Sequence, residues 1–179
     1  MLHIVDGFTQ APEQSHALIR AVYRDSDGFA AEPDEFCPDL PAFIQHLAEL
    51  ESRPGALFLL ARDADGPGAY LFIKPRPLRR LAHTADLNMG VAVQRQGLGL
   101  GQALLREALR QATAAGRLDI LYLMVRADNA AALRLYRTAG FEQQACLKRD
   151  TRIGDSYFDG ILMSRTLTAP EADDSTREP

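Results

Sequence analysis

The chain has no tryptophan, only two cysteines and only four histidines among its 179 residues. Cys37 and Cys146 are far apart and fit no metal-binding spacing, so neither a disulfide framework nor a zinc site is expected to organise the fold. The histidines are scattered and form no ligand pattern. We therefore expect a reducing, cytoplasmic location and no metal.

Long apolar runs and an excess of basic residues are also lacking. No apolar stretch approaches the roughly 18 residues of a membrane-spanning helix, and the N-terminus lacks the basic and apolar regions of a signal peptide. The net charge is −4, which argues against nucleic-acid binding. We expect neither a membrane nor a nucleic acid as partner. Residues 1–167 are predicted to form one domain, and the polar residues 168–179 a disordered tail.

The most informative segment that is present is a glycine-rich turn. Residues 96–105 read Gln-Gly-Leu-Gly-Leu-Gly-Gln-Ala-Leu-Leu, after a strand-like run and at the start of a helical pattern. Glycines let a ligand approach the backbone closely, and the first N–H groups of a helix have no intrahelical partner. Because the helix dipole adds positive potential at that end, the turn predicts a phosphate or pyrophosphate site.

Other glycine motifs do not fit this turn. A P-loop needs a lysine directly after its last glycine, and Gln102 follows Gly101 here. The dinucleotide fingerprint would place its third glycine on Gln102 or Leu104, although Asp119 stands at a suitable distance. On the turn alone, a simple connection between a strand and a packed helix stays open.

Hydrophobic periodicity predicts alternating strands and helices along the chain. We predict strands at residues 2–8, 55–62, 68–74, 84–93, 120–125, 142–148 and 157–166, and helices at 12–25, 41–50, 100–115 and 130–139. Residues 63–66 carry hairpin-turn chemistry. The nearly all-apolar run 120–125 predicts a strand that is covered on both faces.

A second segment, taken together with the glycine-rich turn, carries a resemblance to a known family. Residues 125–141 read Val-Arg-Ala-Asp-Asn-Ala-Ala-Ala-Leu-Arg-Leu-Tyr-Arg-Thr-Ala-Gly-Phe. Over residues 55–165 the chain resembles the GNAT superfamily of acetyl-CoA-dependent N-acetyltransferases, through Gln96, Gly99, Gly101, Asn129, Leu135, Tyr136, Gly140 and Phe141. The resemblance implies an α/β (α+β) fold. It would have a mixed, mostly antiparallel sheet of six to seven strands, helices on both faces and a splayed central strand pair.

The same resemblance implies an activity and a cofactor. The activity is transfer of an acetyl group from acetyl-CoA to a primary amine of a small molecule, such as an amino acid or a polyamine, by direct attack. A protein or peptide acceptor and a non-catalytic acetyl-CoA sensor remain alternatives, and a homodimer stays open. The implied cofactor-binding residues are Val91, Ala92, Val93, Gln96, Gly97, Leu98, Gly99, Leu100, Gly101, Gln102, Asn129 and Tyr136.

In this family the pantetheine lies beside the splayed strand, which is residues 85–93 here. The resemblance implies that Val91 and Val93 pair with the pantetheine amides. An N–H of residues 89–91 would then face the thioester oxygen as an oxyanion donor. Gly90 is predicted to form a bulge, with relief of side-chain crowding as the alternative.

Three further residues are candidates for the chemistry. Tyr136 is predicted to protonate or hydrogen-bond the departing sulfur, with a core tyrosine as the alternative. An acceptor ammonium with a pKa of about 10 must lose a proton before attack. For this step Asp86 is the first candidate base and His83 the second, although solvent-exposed strand-end residues would have the same pattern. Asn129 also stands where helix N-caps stand.

The acceptor pocket is predicted from two charged segments. Tyr157 and Asp159 in the last hairpin are expected either to line it or to be ordinary hairpin flanks. The segment 25–39 is rich in carboxylates. It is predicted to border the acceptor entrance and to favour cationic or zwitterionic amines, with helix capping as the alternative role.

Overall fold

The computed structural model describes residues 2–36 and 38–167. The strands are β1 (His3–Asp6), β2 (Leu57–Asp63), β3 (Gly66–Pro75), β4 (Thr84–Val91), β5 (Ile120–Arg126), β6 (Glu142–Ile153) and β7 (Ser156–Thr166). The helices are α1 (Pro12–Arg24), α2 (Leu40–Glu51), α3 (Leu100–Ala115) and α4 (Ala130–Thr138). Over the described ranges, no helix is both long enough and apolar enough to cross a membrane. The predicted tail lies outside the described residues.

The strands form one seven-stranded sheet in the order β1-β2-β3-β4-β5-β7-β6. Every neighbouring pair is antiparallel except β4 and β5, which run parallel. That parallel pair is joined only from Thr84↔Ile120 to Asp86↔Tyr122, after which the strands separate. The predicted mixed sheet with a splayed central pair is therefore confirmed.

Each face of the sheet carries its own hydrophobic core, which confirms helices on both faces. On one face α3 packs through Leu104, Leu105 and Ala108, which are at most 1 % exposed. On the other face α1 and α2 pack through residues such as Ile19 and Phe43 against the aromatic side chains of β2 and β3. The splay between β4 and β5 thus opens between two helical layers.

Several strands differ from the sequence prediction. β1 ends at Asp6 rather than at residue 8, because Gly7–Thr9 fold into a 3-10 turn. β4 ends at Val91, because Val93–Arg95 fold into a 3-10 turn. β6 continues to Ile153 because a bulge carries the chain into a longer hairpin. β5 is buried on one face only, and Met124 on the other face is 45 % exposed. The predicted burial of β5 on both faces is wrong, since the splay removes its neighbour beyond Tyr122.

Candidate active site

The splay opens into a cleft of about 1110 Å³. Its walls come from the second half of β4, from β5, from the turn before α3 and from α4. Residues 26 and 28–30 of the loop between α1 and α2 close one side, and Asp150, Thr151 and Leu162 of the β6–β7 hairpin close the other. The glycine-rich turn at residues 96–105 and the segment at residues 125–141 therefore meet in one cavity.

The turn before α3 presents a row of free hydrogen-bond donors to this cleft. The N–H groups of residues 97–102 donate to no acceptor in the described part of the chain, and α3 has no side-chain N-cap. The first helical bond is Ala103 N–H to the Gly99 carbonyl at 3.0 Å. Consecutive free N–H groups at the positive end of a helix form an anion site.

Two glycines give the turn its shape. Gly97 and Gly99 have φ of 76° and 79°, where other residues are strained, and a Cβ on either would meet nothing within 4 Å. The turn is thus open on the side where a side chain would project. Gln96 closes its start, with its side-chain amide donating to the Val91 carbonyl at 3.4 Å.

Gly90 is required by packing rather than by a bulge. The β3–β4 ladder keeps a regular register through Tyr70↔Gly90. A Cβ at this position would lie 2.6 Å from atoms of both Tyr70 and Val22. The predicted bulge is therefore wrong, and the alternative interpretation holds because an aromatic ring and α1 press against the strand here.

Tyr136 lines the cleft from α4. Its side chain is 7 % exposed, and its ring meets the Phe141 ring edge-on, with 5.7 Å between the ring centroids. Its hydroxyl has no hydrogen-bond partner among the described residues. Burial raises the pKa of Tyr136 to about 12. The phenol therefore stays neutral at physiological pH, where it can donate a hydrogen bond.

Asn129 occupies a position that allows both of its predicted roles, capping of α4 and contact with the cofactor. Its side-chain oxygen accepts the Ala132 N–H at 3.0 Å and so caps α4, and the residue also lines the cleft. Its side-chain nitrogen lies 3.8 Å from the point where a Cβ on Gly28 would stand. The Asn129 side chain therefore also lies next to the loop between α1 and α2.

The two candidate bases have different surroundings. Asp86 lines the cleft, but both of its oxygens accept from Arg76, at 2.8 and 3.2 Å. Arg76 in turn stacks on the Tyr122 ring at 4.6 Å. His83 is exposed and outside the cleft lining, and its carbonyl accepts the Asp119 N–H at 2.7 Å. The structure does not bring His83 together with the other site residues.

The predicted cofactor residues divide into two groups. Those that line the cleft are Val91, Gln96, Gly97, Gly99, Leu100, Gly101, Gln102, Asn129 and Tyr136. The side chains of Ala92, Val93 and Leu98 do not line it. Val93 lies outside the strand, and its carbonyl accepts the Gln96 N–H at 3.3 Å. Pairing of Val93 with the pantetheine amides therefore stays a prediction, with one of the two acceptor positions of its carbonyl already used.

The carboxylates of segment 25–39 hold the protein's own structure together. Asp25 pairs with Arg24, Asp39 caps α2 through the Ala42 N–H, and Glu35 accepts the Glu32 N–H. Asp27 contacts Arg126. The cleft lining takes only uncharged residues from this segment, so the capping interpretation is favoured over electrostatic steering.

The last hairpin does not use the residues that the sequence suggested. Asp159 binds Lys148 at 2.7 Å and the Arg149 N–H at 3.0 Å, and Tyr157 stacks against Arg149 at 3.8 Å. Neither Tyr157 nor Asp159 lines the cleft. Both are hairpin flanks, which was the alternative interpretation, and Asp150 lines the cleft in their place.

A second groove adjoins the anion site between α3 and α4. Gln102, Ala131 and Leu135 line both cavities. The groove has an apolar floor and four arginines, which are Arg106, Arg110, Arg134 and Arg165. Sequence reasoning missed this set because the arginines come from three separate elements. Elsewhere in the described ranges, no three His, Cys, Asp or Glu side chains group in a way that could hold a metal ion.

Comparison with known proteins identifies relatives of this arrangement. The sequence model of the Acetyltransferase (GNAT) family matches residues 19–141. The L-amino acid N-acetyltransferase AaaT of Escherichia coli K12 is 31 % identical over 140 residues, which cover 75 % of this chain and 86 % of that protein.

Two solved structures show the same fold. A GNAT-family acetyltransferase from Streptococcus pneumoniae superposes with a TM-score of 0.84 at 25 % identity, over 93 % of this chain and 99 % of that one. The structure of yncA from Salmonella typhimurium with its cofactor acetyl-CoA superposes with a TM-score of 0.78 at 21 % identity, over 97 % of this chain and 98 % of that one.

Proposed function

Because this chain belongs to the GNAT family of acetyltransferases, we propose that it transfers an acetyl group from acetyl-CoA to a primary amine of a small molecule. The observation that carries the proposal is the row of free N–H donors at residues 97–102, which opens into the same cleft as the Tyr136 hydroxyl. When bound, acetyl-CoA supplies the activated acetyl group and a thiolate leaving group.

The cofactor side of the cleft fits acetyl-CoA. The free N–H groups of residues 97–102 would hold its pyrophosphate without any lysine or arginine, since backbone donors and the helix dipole suffice. The separated edge of β4, at residues 87–91, would hold the pantetheine. The arginines beside Gln102 would face the remaining phosphate of the nucleotide, with Arg106 and Arg134 as our candidates.

Tyr136 would act as a hydrogen-bond donor to the departing sulfur. Burial raises the pKa of Tyr136 to about 12, above the value of about 8.5 for a free thiol, so net proton transfer from the phenol to a thiolate is unfavourable. A neutral hydroxyl in a buried site still stabilises developing negative charge. We therefore assign orientation and charge stabilisation to Tyr136 rather than net protonation.

A small acceptor is favoured over a peptide by the way Arg126 spans the acceptor side. Arg126 donates to the Asp27 carbonyl at 2.8 Å and stacks on Phe158 at 4.0 Å. It therefore links the loop after α1 to the last hairpin. A peptide acceptor would need an open groove between these two parts, while a small amine needs only the cleft itself.

The test is an acceptor panel scored by release of free coenzyme A thiol. We expect turnover with primary amines from among L-amino acids, polyamines and aminoglycosides, and little with peptides that carry a free N-terminus. Faster acetylation of the peptides would replace the small-molecule acceptor by a protein acceptor. Tight acetyl-CoA binding without turnover on any amine would favour the sensor alternative.

A further inference from the structure

The β6–β7 hairpin carries an irregularity that points into the cleft. Leu147 pairs with Gly160 and Thr151 pairs with Phe158, so three residues of β6 stand opposite one residue of β7. Arg149, inside this bulge, is the one non-glycine with positive φ (57°) in the described ranges. Bulges beside active sites commonly redirect a side chain, and strained backbone is retained where it serves a function.

The bulge places Asp150, which is exposed, at the wall of the cleft, while the two basic residues before it are held by other side chains. Asp159 holds Lys148 and the Arg149 N–H on the outer side, while Asp150 lines the cleft. Asp150 makes no ion pair with any described residue, and its one hydrogen bond is a marginal contact of 3.4 Å from Thr151. The oxygens of Asp86, in contrast, are already used by Arg76.

Gly160 provides the space for this carboxylate. A Cβ at Gly160 would lie 2.5 Å from the Asp150 Oδ2 and 3.0 Å from its Cβ. Gly160 pairs with Arg126 of β5, so Asp150 lies on the sheet face that is covered by α1 and α2. The absence of a side chain at this position is therefore what allows Asp150 to reach the cleft.

Asn88 adds a buried, unsatisfied acceptor on the same face. It belongs to β4, opposite Phe72 of the α1–α2 core, and lines the cleft. Its side-chain oxygen is buried and accepts no hydrogen bond from any described residue. A buried acceptor without a donor is costly, so a ligand or water donor is expected at this oxygen.

We propose that Asp150 and Asn88 hold the nitrogen of the acceptor, and that Asp150 passes its first proton to solvent. The inference rests on the proposed function. Two oxygen acceptors select a ligand that donates, which a primary ammonium does. An ammonium that becomes an amide nitrogen loses two protons, of which the departing thiolate takes one and solvent the other. This role replaces the one that the sequence suggested for Asp86.

The experiment compares Asp150→Asn, Gly160→Ala and the double variant, with Asp155→Asn in the same hairpin as the control. Asp155 is fully exposed, at the hairpin tip. We expect either single change to lower kcat/KM for the best primary amine by about 10- to 100-fold, the range for a lost charge-assisted hydrogen bond. The double variant should be no worse than either single variant, because both remove the same carboxylate.

Two readouts separate this role from a structural defect. Acetyl-CoA affinity, measured by calorimetry, should stay at the wild-type value in both single variants. The defect should shrink for a fluorinated analogue of the amine that is already neutral at the assay pH. Additive losses, an Asp150→Asn variant of wild-type activity, or an equal defect with the neutral analogue would overturn the inference. A wild-type protein that acetylates no amine would instead refute the proposed function.

Discussion

The two sides of the cleft are built in different ways. The proposed pyrophosphate site on the cofactor side is one continuous stretch, residues 97–102, whose backbone N–H groups have no acceptor in the described part of the chain. The acceptor side is assembled from side chains of β4, β5, the β6 bulge and the loop after α1. A backbone site depends on local conformation, which two glycines specify, whereas a side-chain site depends on how distant strands pair.

The largest effect is expected when a side chain fills the turn before α3. Gly99→Val places a side chain where the turn is open, at φ of 79°. We expect acetyl-CoA affinity to fall by about 100-fold or more, because several charge-assisted hydrogen bonds to the pyrophosphate are lost together. Isothermal titration calorimetry with acetyl-CoA measures the effect.

A matched control exists at the other end of α3. Gly116 also has positive φ (58°) and open space around its Cβ position, but it lies outside the cleft. Gly116→Val should carry a comparable backbone strain of about 1–2 kcal/mol and keep acetyl-CoA affinity. Equal loss in both variants would mean that strain, not the ligand site, explains the result.

The next largest effect is expected at Tyr136, which lines the cleft between the proposed cofactor side and the proposed acceptor side. Tyr136→Phe keeps the ring contact with Phe141 and removes only the hydroxyl. We expect kcat to fall by about 10- to 100-fold with little change in KM for acetyl-CoA, as for a contact made mainly in the transition state. An unchanged kcat, with chemistry shown to be rate-limiting, would remove Tyr136 from the mechanism.

The same contrast explains what the sequence could predict. The splayed sheet and the glycine turn before α3 are local or family-wide features, and the structure confirms the fold. The position of the Asp150 carboxylate was not predicted, because it depends on a two-residue register shift of β6 opposite Asp159. Tyr157 and Asp159 were chosen by residue type, but side chains alternate along β7, and these two residues lie on the face opposite to that of Phe158 and Gly160.

A smaller effect, of pH on the free energy of unfolding, is expected from the layer formed by α1 and α2. Burial, assisted by Lys74, lowers the pKa of His46 in the α1–α2 layer from 6.5 to about 4, with Arg53 lowering and Glu49 raising it. The unfolded chain therefore binds this proton more readily. The contribution of neutral His46 to the free energy of unfolding is fully present above pH 6.5 and is lost as the pH falls toward 4.

Replacing His46 by phenylalanine tests this linkage. His46 packs against the rings of Phe36 and Phe72, so His46→Phe keeps an aromatic side chain without a titrating group. Between pH 7.5 and 5, the urea midpoint should fall more in the wild type than in this variant. Parallel midpoints in both proteins would show that His46 is not the group responsible.

The smallest effect is expected from the acidic segment. Glu32 and Asp34 are the carboxylates there that could steer without breaking a cap or an ion pair, since their side chains make neither. Replacing both by their amides should change kcat/KM for a cationic amine by less than about twofold at physiological salt. A larger loss that disappears at high salt would restore electrostatic steering.

A crystal structure of the protein with coenzyme A and a primary amine tests the two-sided cleft most directly. We expect pyrophosphate oxygens on the N–H groups of residues 97–102, and the amine nitrogen within hydrogen-bond distance of Asp150 and Asn88. A pyrophosphate bound away from the turn would contradict the cofactor side. An amine nitrogen on Asp86, with Asp150 free in solvent, would contradict the acceptor side.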